Sequence, residues 1–292
     1  MTIRVVTDSA SDLDPAIADD LGIVVIPCRV NFGTESFKDG VDLTSDDFYN
    51  RLTKGTVFPS TSQPPPGDFI EVFDEIGKDA DGIVSVHVSS KVSGTYNSAI
   101  HGKDQCSTDC PIEVIDSTQA SMALGLVVIA AAETAQSGAS LSEVKDAAND
   151  AASRSQSMFV LDTVEYLQKG GRIGKAQALL GTILKIKPMI IMRDGEVGEL
   201  GKARTFGKAL VKLQETARSF SSVERLSVSY TSTPDLASEI ADDLRDMIVG
   251  DSEPLIARIG PSIGTHAGPG SIGICLIQSS STSTLGGFLY GS

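Results

Sequence analysis

The sequence predicts an α/β fold with two domains, and two observations carry this prediction. Strands alternate with helices over residues 1–156, a pattern typical of a mainly parallel, Rossmann-like sheet. From residue 157 onward a hairpin and further helices replace the alternation, which indicates a smaller α+β domain over 157–278. Residues 279–292 are rich in Ser, Thr and Gly, so we expect a disordered tail there.

The first domain is expected to contain four strands and six helices, one of which directly follows the polar turn at Ser89–Ser93. The strands are placed at Ile3–Val6, at Ile23–Val30, from Val84 onward and at Ile112–Ile115. The helices are placed at Ala16–Leu21, Phe48–Leu52, Asp68–Lys78, Ala120–Gln136 and from Ser140 onward. Because Ala120–Gln136 is apolar on nearly every face, we expect it to be buried. Three prolines at 64–66 predict a stiff, non-helical segment that fixes the hydroxyl groups before it.

The second domain is expected to contain a hairpin, four further strands, the last at Ile274–Ile277, and four helices. The hairpin joins Met189–Met192 to Glu199–Arg204 through a turn at Gly195. The other strands are placed at Met158–Leu161, Leu226–Tyr230 and Leu255–Ile259, and the helices at Val164–Leu167, Ala176–Leu184, Lys208–Ser219 and Asp235–Ile248.

Composition limits the classes of function. The chain has 292 residues and a net charge of −14, which disfavours general binding to nucleic acid. Its four cysteines show no zinc-ligand spacing, so we expect them to be reduced and mostly structural. Asp8 follows the first valines too soon for a secretory signal, and the longest apolar run, within Met122–Ala132, is too short to cross a bilayer. A cytoplasmic protein is expected.

Small polar residues follow several strands of the predicted parallel sheet, where ligands gather in such folds. The most informative segment is Ser89–Ser93, which leads from a strand into a helix. A helix N-terminus presents free N–H groups to an anion, Ser93 adds a hydroxyl group, and Gly94 allows close approach of a ligand. The alternative is that Ser93 is an ordinary helix N-cap.

Two glycine-rich segments resemble nucleotide-binding motifs, but the spacing and the neighbouring elements exclude a nucleotide site. Gly268–Gly273 matches G-x-G-x-x-G but is followed by a strand and not by a helix. Gly170–Lys175 resembles a phosphate loop but is one residue too short between its glycines, and no Ser or Thr follows Lys175. A serine hydrolase would pair Ser93 with His266 or His87, but no G-x-S-x-G is present.

Positive charge is concentrated between Lys169 and Lys212. This segment holds ten basic and three acidic residues, a balance of +7 that leaves −21 on the remainder. A solvated basic face is the simpler interpretation. Such a long run inside an acidic chain instead favours a docking surface for an anionic partner.

Six segments, taken in order, resemble the DegV family, the fatty-acid-binding subunits of bacterial fatty acid kinase. The resemblance covers residues 3 to 278. The segments are Thr7–Leu13, Thr61-Ser62-Gln63-Pro64, Ser89–Tyr96, Gly170–Lys175, Leu184–Pro188 and His266–Gly270.

The resemblance implies two α/β domains with a long-chain fatty acid held between them. Its carboxylate would be bound by Thr61 and Ser93, with His266 in the same network and Ser62, Gly94 and Thr95 beside them. The fatty acid would be presented to a separate ATP-dependent kinase, which makes the acyl-phosphate used in phospholipid synthesis. No catalytic residue, metal or cofactor is expected in the chain itself.

The same resemblance places the partner-docking side at Arg172 and Arg204, and Lys175 is included with them. A transient membrane encounter for lipid exchange is a further expected interaction. The competing hypothesis is an acyl hydrolase that uses Ser93 as its nucleophile.

Overall fold

The structure, a computed structural model, describes residues 1–180 and 186–280. Its strands are, in chain order, β1 Ile3–Asp8, β2 Val24–Ile26, β3 Arg29–Phe32, β4 Glu35–Lys38, β5 Ser60–Ser62, β6 Gly82–His87, β7 Ile112–Asp116, β8 Ser155–Val160, β9 Lys187–Arg193, β10 Glu196–Ala203, β11 Val223–Tyr230, β12 Leu255–Arg258 and β13 Ile272–Gln278. Its α-helices are α1 Pro15–Asp20, α2 Ser45–Lys54, α3 Pro66–Ile76, α4 Thr95–Gln105, α5 Met122–Gln136, α6 Leu141–Arg154, α7 Glu165–Lys169, α8 Phe206–Arg218, α9 Pro234–Leu244 and α10 Pro261–Ala267.

A four-stranded parallel sheet forms the first half, in the order β2-β1-β6-β7. Its strands are Val- and Ile-rich because helices cover both of its faces. Helices α3 and α4 cover one face, where Phe69, Phe73 and Ile83 are fully buried. The predicted alternation of strands and helices is confirmed.

A six-stranded mixed sheet forms the second half, in the order β10-β9-β8-β13-β11-β12. All neighbours are antiparallel except β11 and β12. The hairpin of β9 and β10 is confirmed, and its turn contains Gly195 at φ +79°, a value that favours glycine. Helices α8 and α9 pack on the outer face of this sheet.

Helix α5 lies between the two sheets and contacts β1 on one side and β8, β11 and β13 on the other. Eleven of its fifteen residues are buried, which confirms the prediction of a helix that is apolar on nearly every face. Helix α6 packs beside it. The order is therefore α3 and α4, parallel sheet, α5 and α6, mixed sheet, α8 and α9, and the central apolar cluster includes residues of both sheets.

The predicted strand Ile23–Val30 is wrong, because two strands occupy that stretch. Strand β2 joins the parallel sheet, and after Pro27 the chain enters β3 in a separate antiparallel sheet of order β4-β3-β5. Proline lacks the N–H group that a continuous strand would use. Strand β5, which contains Thr61, was not predicted.

Other differences concern helix ends. In place of the helix predicted at Ala176–Leu184, the structure has a 3₁₀ helix at Gly174–Leu179, and residues 181–184 of the predicted range lie outside the described residues. The helix predicted at Asp235–Ile248 ends at Leu244, and a 3₁₀ turn follows at Arg245–Met247. Helix α10 was not predicted.

The domain boundary and the tail stay predictions. Strand β8 begins at Ser155, two residues before the expected start of the second domain at 157. Of the expected tail 279–292, Ser279 is buried and its backbone N–H donates to Ser222, and residues 281–292 lie outside the described residues. Within 1–180 and 186–280, no helix has the length and apolar character needed to cross a membrane.

Candidate functional site

An apolar cavity lies between the two halves of the fold. The first half supplies Ala10, Cys28, Thr61, Ser62, Gln63, Val88, Val92, Ser93, Ala120 and Ser121, and the second half supplies Phe159, Leu161, Leu167, Arg172, Ile190, Met192, Val197, Ser262, Ile263, His266 and Ala267. Its volume is about 110 Å³, several times the roughly 10–15 Å³ that one water molecule needs on the same measure. Most of the lining residues are apolar. Polar side chains reach the cavity from β5, from the segment between β6 and α4, and from α10, an arrangement typical of small-molecule sites.

Thr61 and His266 form the first part of this polar region. Strand β5 places Thr61 opposite Val30 of β3, and helix α10 places His266 near its last residue. The Thr61 hydroxyl lies 2.8 Å from His266 Nε2. A residue from each half of the chain therefore contributes to one hydrogen bond at the cavity.

Two buried carboxylates hold the start of helix α10. Asp12 accepts a hydrogen bond from the backbone N–H of Gly260 at 2.9 Å, and Asp39 accepts one from the N–H of Ser262 at 3.2 Å. Carboxylates are favourable at this end of a helix, where N–H groups are free. Burial raises the pKa of both Asp12 and Asp39. These contacts fix the helix that positions His266.

The second part of the polar region is Ser93, in the segment between β6 and α4. Its hydroxyl lies 2.8 Å from the Thr95 hydroxyl and accepts the Thr95 N–H at 3.3 Å. The residue directly before α4 is Gly94, but the Ser93 hydroxyl still accepts the first N–H group of that helix, so Ser93 has a capping role as well as lining the cavity. The backbone N–H groups of Val92 and Ser93 both donate to the Ser89 carbonyl, each at 3.1 Å, which makes the turn compact.

Arg172 supplies positive charge at the cavity. Its Nε donates to the Val92 carbonyl at 3.1 Å and its Nη1 to the Gly170 carbonyl at 2.7 Å. The guanidinium thus bridges the turn that carries Ser93 and the segment after α7. An anionic head group at this place would meet a nearby positive charge.

The imidazole of His266 is neutral at neutral pH. Burial, followed by the nearby Arg172 charge, lowers the pKa of His266 to about 4. Its Nδ1 is buried and has no hydrogen-bond partner among the described residues. Only Nε2 is engaged, and it faces Thr61.

A second histidine forms a chain that resembles a catalytic triad. His87 Nε2 lies 2.6 Å from the Ser85 hydroxyl, and His87 Nδ1 lies 2.9 Å from Asp8 Oδ2. All three side chains are fully buried, and Phe69 packs edge-on against the imidazole at 5.2 Å. Because a substrate cannot reach Ser85, this geometry serves the fold. Asp8 also accepts the N–H groups of Ala10 and Val88, two residues of the cavity wall.

The predicted ligand-binding residues fall into two groups. Thr61, Ser62, Ser93 and His266 line the cavity. Gly94 and Thr95 do not line it and lie behind Ser93: Thr95 is buried against the Ser93 hydroxyl, and a Cβ atom at Gly94 would lie 2.8 Å from the amide nitrogen of Gln63. Gln63 lines the cavity and was not named as a binding residue, although it stands in the same short segment as Thr61.

The three predicted docking residues lie in different surroundings. Arg172 lines the cavity, Lys175 is exposed and paired with Glu196 at 2.9 Å, and Arg204 is exposed.

Neither imidazole that a hydrolase would need is hydrogen-bonded to Ser93, since His266 faces Thr61 and His87 faces Ser85 and Asp8. Within the described residues, no group of three or more His, Cys, Asp or Glu is placed to hold a metal ion.

Comparison with protein families gives one match across almost the whole chain. The family model described as "Uncharacterised protein, DegV family" matches residues 2–279. A DegV domain-containing protein of Streptomyces coelicolor is 36% identical over 275 residues, which cover 93% of this chain and 97% of that protein.

Solved structures share the fold. A DegV family protein from Thermus thermophilus, described for its fatty acid binding, superposes with a TM-score of 0.87 at 32% identity and covers 96% of this chain and 100% of its own. A stearic-acid-binding protein from Eubacterium ventriosum has a TM-score of 0.86 at 27% identity, with coverage of 97% and 100%.

Proposed function

Because the chain belongs to the DegV family, we propose that it binds a long-chain fatty acid and presents the carboxylate to a separate ATP-dependent kinase. The acyl-phosphate made there would enter phospholipid synthesis. The observation that carries the binding proposal is the cavity, which is apolar along most of its wall and has the Thr61, Ser93, His266 and Arg172 side chains among its polar groups. The Thermus thermophilus relative, described as binding fatty acid, supports it.

The physical chemistry of the ligand fits this wall. Each CH₂ group moved from water to an apolar site contributes about 0.8 kcal/mol, so the tail supplies most of the affinity. The head group needs donors. The Thr61 and Ser93 hydroxyls can donate to a carboxylate, and Arg172 adds positive charge without a tight ion pair being required.

The kinase part of the proposal rests on two features of the sequence: neither glycine-rich segment is a phosphate loop, and positive charge is concentrated between Lys169 and Lys212. Neither glycine-rich segment of the chain meets the requirements of a phosphate loop, so the phosphoryl donor would be bound by the partner. Lys202 lies at the end of β10 and Arg204 directly follows it, while Lys208 and Lys212 lie in α8, an element that contacts β10. All four are exposed and have no ion pair among the described residues, and we group them as the cationic patch. We propose this patch as the docking surface. The transient membrane encounter stays a prediction.

Lipid analysis of the purified protein tests the binding proposal. We expect native mass spectrometry to show one long-chain fatty acid per chain, and organic extraction to identify it. Protein that is empty after purification and that also fails to bind added palmitate or oleate would refute the proposal.

The acyl hydrolase is tested separately with an activated ester such as p-nitrophenyl palmitate. We expect no turnover that depends on Ser93, because no imidazole is hydrogen-bonded to its hydroxyl. Turnover that is lost in Ser93→Ala would favour the hydrolase over the carrier.

A further inference from the structure

Gly170 stands directly after helix α7, beside the cavity, and its backbone does not require glycine. Its φ of −76° and ψ of −6° are ordinary right-handed values that any residue adopts. Its N–H donates to the Tyr166 carbonyl and its own carbonyl accepts from Arg172. The atoms around Gly170, and not its backbone conformation, therefore explain why this position has no side chain.

The neighbour is the imidazole of His266. A Cβ atom at position 170 would lie 2.2 Å from His266 Nδ1, 2.8 Å from its Cε1 and 3.0 Å from the Tyr166 carbonyl oxygen. Non-bonded carbon atoms in proteins keep about 3.5–4.0 Å. An alanine at 170 would thus displace the ring, and the ring cannot move far without losing the 2.8 Å contact between Nε2 and Thr61.

The surroundings of the ring also decide which partner donates the hydrogen bond between His266 Nε2 and the Thr61 hydroxyl. Nδ1 is buried against Gly170 and has no partner among the described residues. A buried N–H group without an acceptor is rarer in proteins than an acceptor without a donor. The proton of the neutral ring is therefore best placed on Nε2, which donates it to the Thr61 oxygen. The Thr61 hydroxyl then keeps its own proton free for a ligand.

We propose that Gly170 is a positioning residue for the head-group site: its bare Cα lets the His266 ring lie against it, so that Nε2–H donates to Thr61 and Thr61 donates to the ligand. The last step rests on the proposed function, because it needs a ligand that accepts a hydrogen bond. The placement of the ring and its proton does not.

The first measurement needs no ligand. In delipidated protein labelled with ¹⁵N at histidine, we expect the His266 ring to show a protonated Nε2 and a bare Nδ1, with a coupling to a slowly exchanging Nε2 proton. The signals are assigned by their loss in His266→Gln. In Gly170→Ala the slowly exchanging Nε2 proton should be lost. A wild-type ring protonated on Nδ1, or an unchanged ring in Gly170→Ala, would overturn the proposal.

The second measurement is a double-variant cycle with palmitate as the probe. Gly170→Ala should weaken palmitate binding on the order of ten- to a hundredfold, the range expected for one hydrogen bond to a charged group. In the His266→Ala background the same change should have less than about a twofold effect, because the ring that it displaces is gone. Equal losses in both backgrounds would overturn the proposal.

Controls separate the causes. Around Gly207, in helix α8, no atom beyond its own helix backbone and chain neighbours lies within 4 Å of the place that a Cβ atom would take, so Gly207→Ala should bind palmitate like the wild type. If Gly170→Ala does not fold, Gly170→Ala/His266→Ala should fold, and its failure to do so would contradict a clash with the ring. Wild-type protein that is empty after purification and binds neither palmitate nor oleate would refute the proposed function, while the nitrogen signals still decide the role of Gly170.

Discussion

The Thr61 hydroxyl lies 2.8 Å from Nε2 of His266, although 205 residues separate the two in the chain. Strand β5 brings one partner and helix α10 the other, from opposite halves of the fold. Since both also line the cavity, this contact joins the two halves of the fold at the cavity wall.

Loss of either hydroxyl should weaken fatty-acid binding without unfolding the protein. We expect Thr61→Ala and Ser93→Ala each to cost about 1.5–3 kcal/mol of binding free energy, the range for a hydrogen bond to a charged group, while the tail keeps residual affinity. Titration with palmitate measures this, and thermal unfolding checks the fold. Thr53→Ala, an exposed helix position bonded to the Tyr49 carbonyl, is the matched control. Wild-type affinity in both site variants would place the head group elsewhere.

His266 should make stability depend on pH in a defined window. Its pKa is about 4 in the folded protein and 6.5 ordinarily. Between these values the unfolded chain binds a proton that the folded chain does not, so stability is full above pH 6.5 and falls as the pH drops to about 4. Denaturant titrations at several pH values should show this loss in the wild type and a smaller one in His266→Gln.

The buried carboxylates do not obscure that comparison. The raised pKa values of Asp12 and Asp39 act in the opposite direction, because the folded protein then holds protons that the unfolded chain releases. They are present in both proteins and cancel in the difference. Identical pH slopes for the wild type and His266→Gln would contradict a buried neutral imidazole.

Arg172 and Arg204 should behave differently when reversed in charge. Arg204→Glu, in the exposed cationic patch, should leave palmitate affinity nearly unchanged and lower acyl-phosphate formation by a cognate kinase. Arg172→Glu should lower both, because Arg172 lines the cavity. The wild-type coupled rate should also fall as salt screens the patch, over about 8 Å at physiological ionic strength. Equal effects of the two variants on palmitate binding would contradict the assignment of Arg172 to the cavity and of Arg204 to docking.

The buried triad-like chain should matter for stability. His87→Leu removes the imidazole and with it two buried hydrogen bonds, to Asp8 and to Ser85, so we expect a loss on the order of 2 kcal/mol or more in the free energy of unfolding. Ser85→Ala removes one neutral hydrogen bond and should cost about 1 kcal/mol. Urea titrations compare the two. A larger loss in Ser85→Ala than in His87→Leu would contradict this order.

The sequence allowed prediction of the elements whose signal is local. The Val-rich strands, the apolar helix α5 and the hairpin at Gly195 each depend on residues close together in the chain. Strand β5 could not be predicted in this way, because Ser60–Ser62 has no hydrophobic alternation and pairs with β3, some thirty residues earlier.

The same limit applies to the site. Helix α10 has only seven residues and contains Gly264 in its interior, which lowers helix propensity, and it is held by Asp12 and Asp39 from distant parts of the chain. The residue types around Ser93 indicated an anion site from the sequence. That Arg172 faces the cavity depends on its contact with the Val92 carbonyl, which no spacing in the sequence encodes.

Helix α5, buried between the two sheets, has a consequence for dissecting the protein. A fragment that ends at residue 154, before β8, would keep the helix but expose the side that packs against β8, β11 and β13, and that apolar surface would aggregate in water. Coexpressed fragments 1–154 and 155–292 should therefore recover each other's solubility. Intact chains should unfold in a single calorimetric transition, with both sheets melting together.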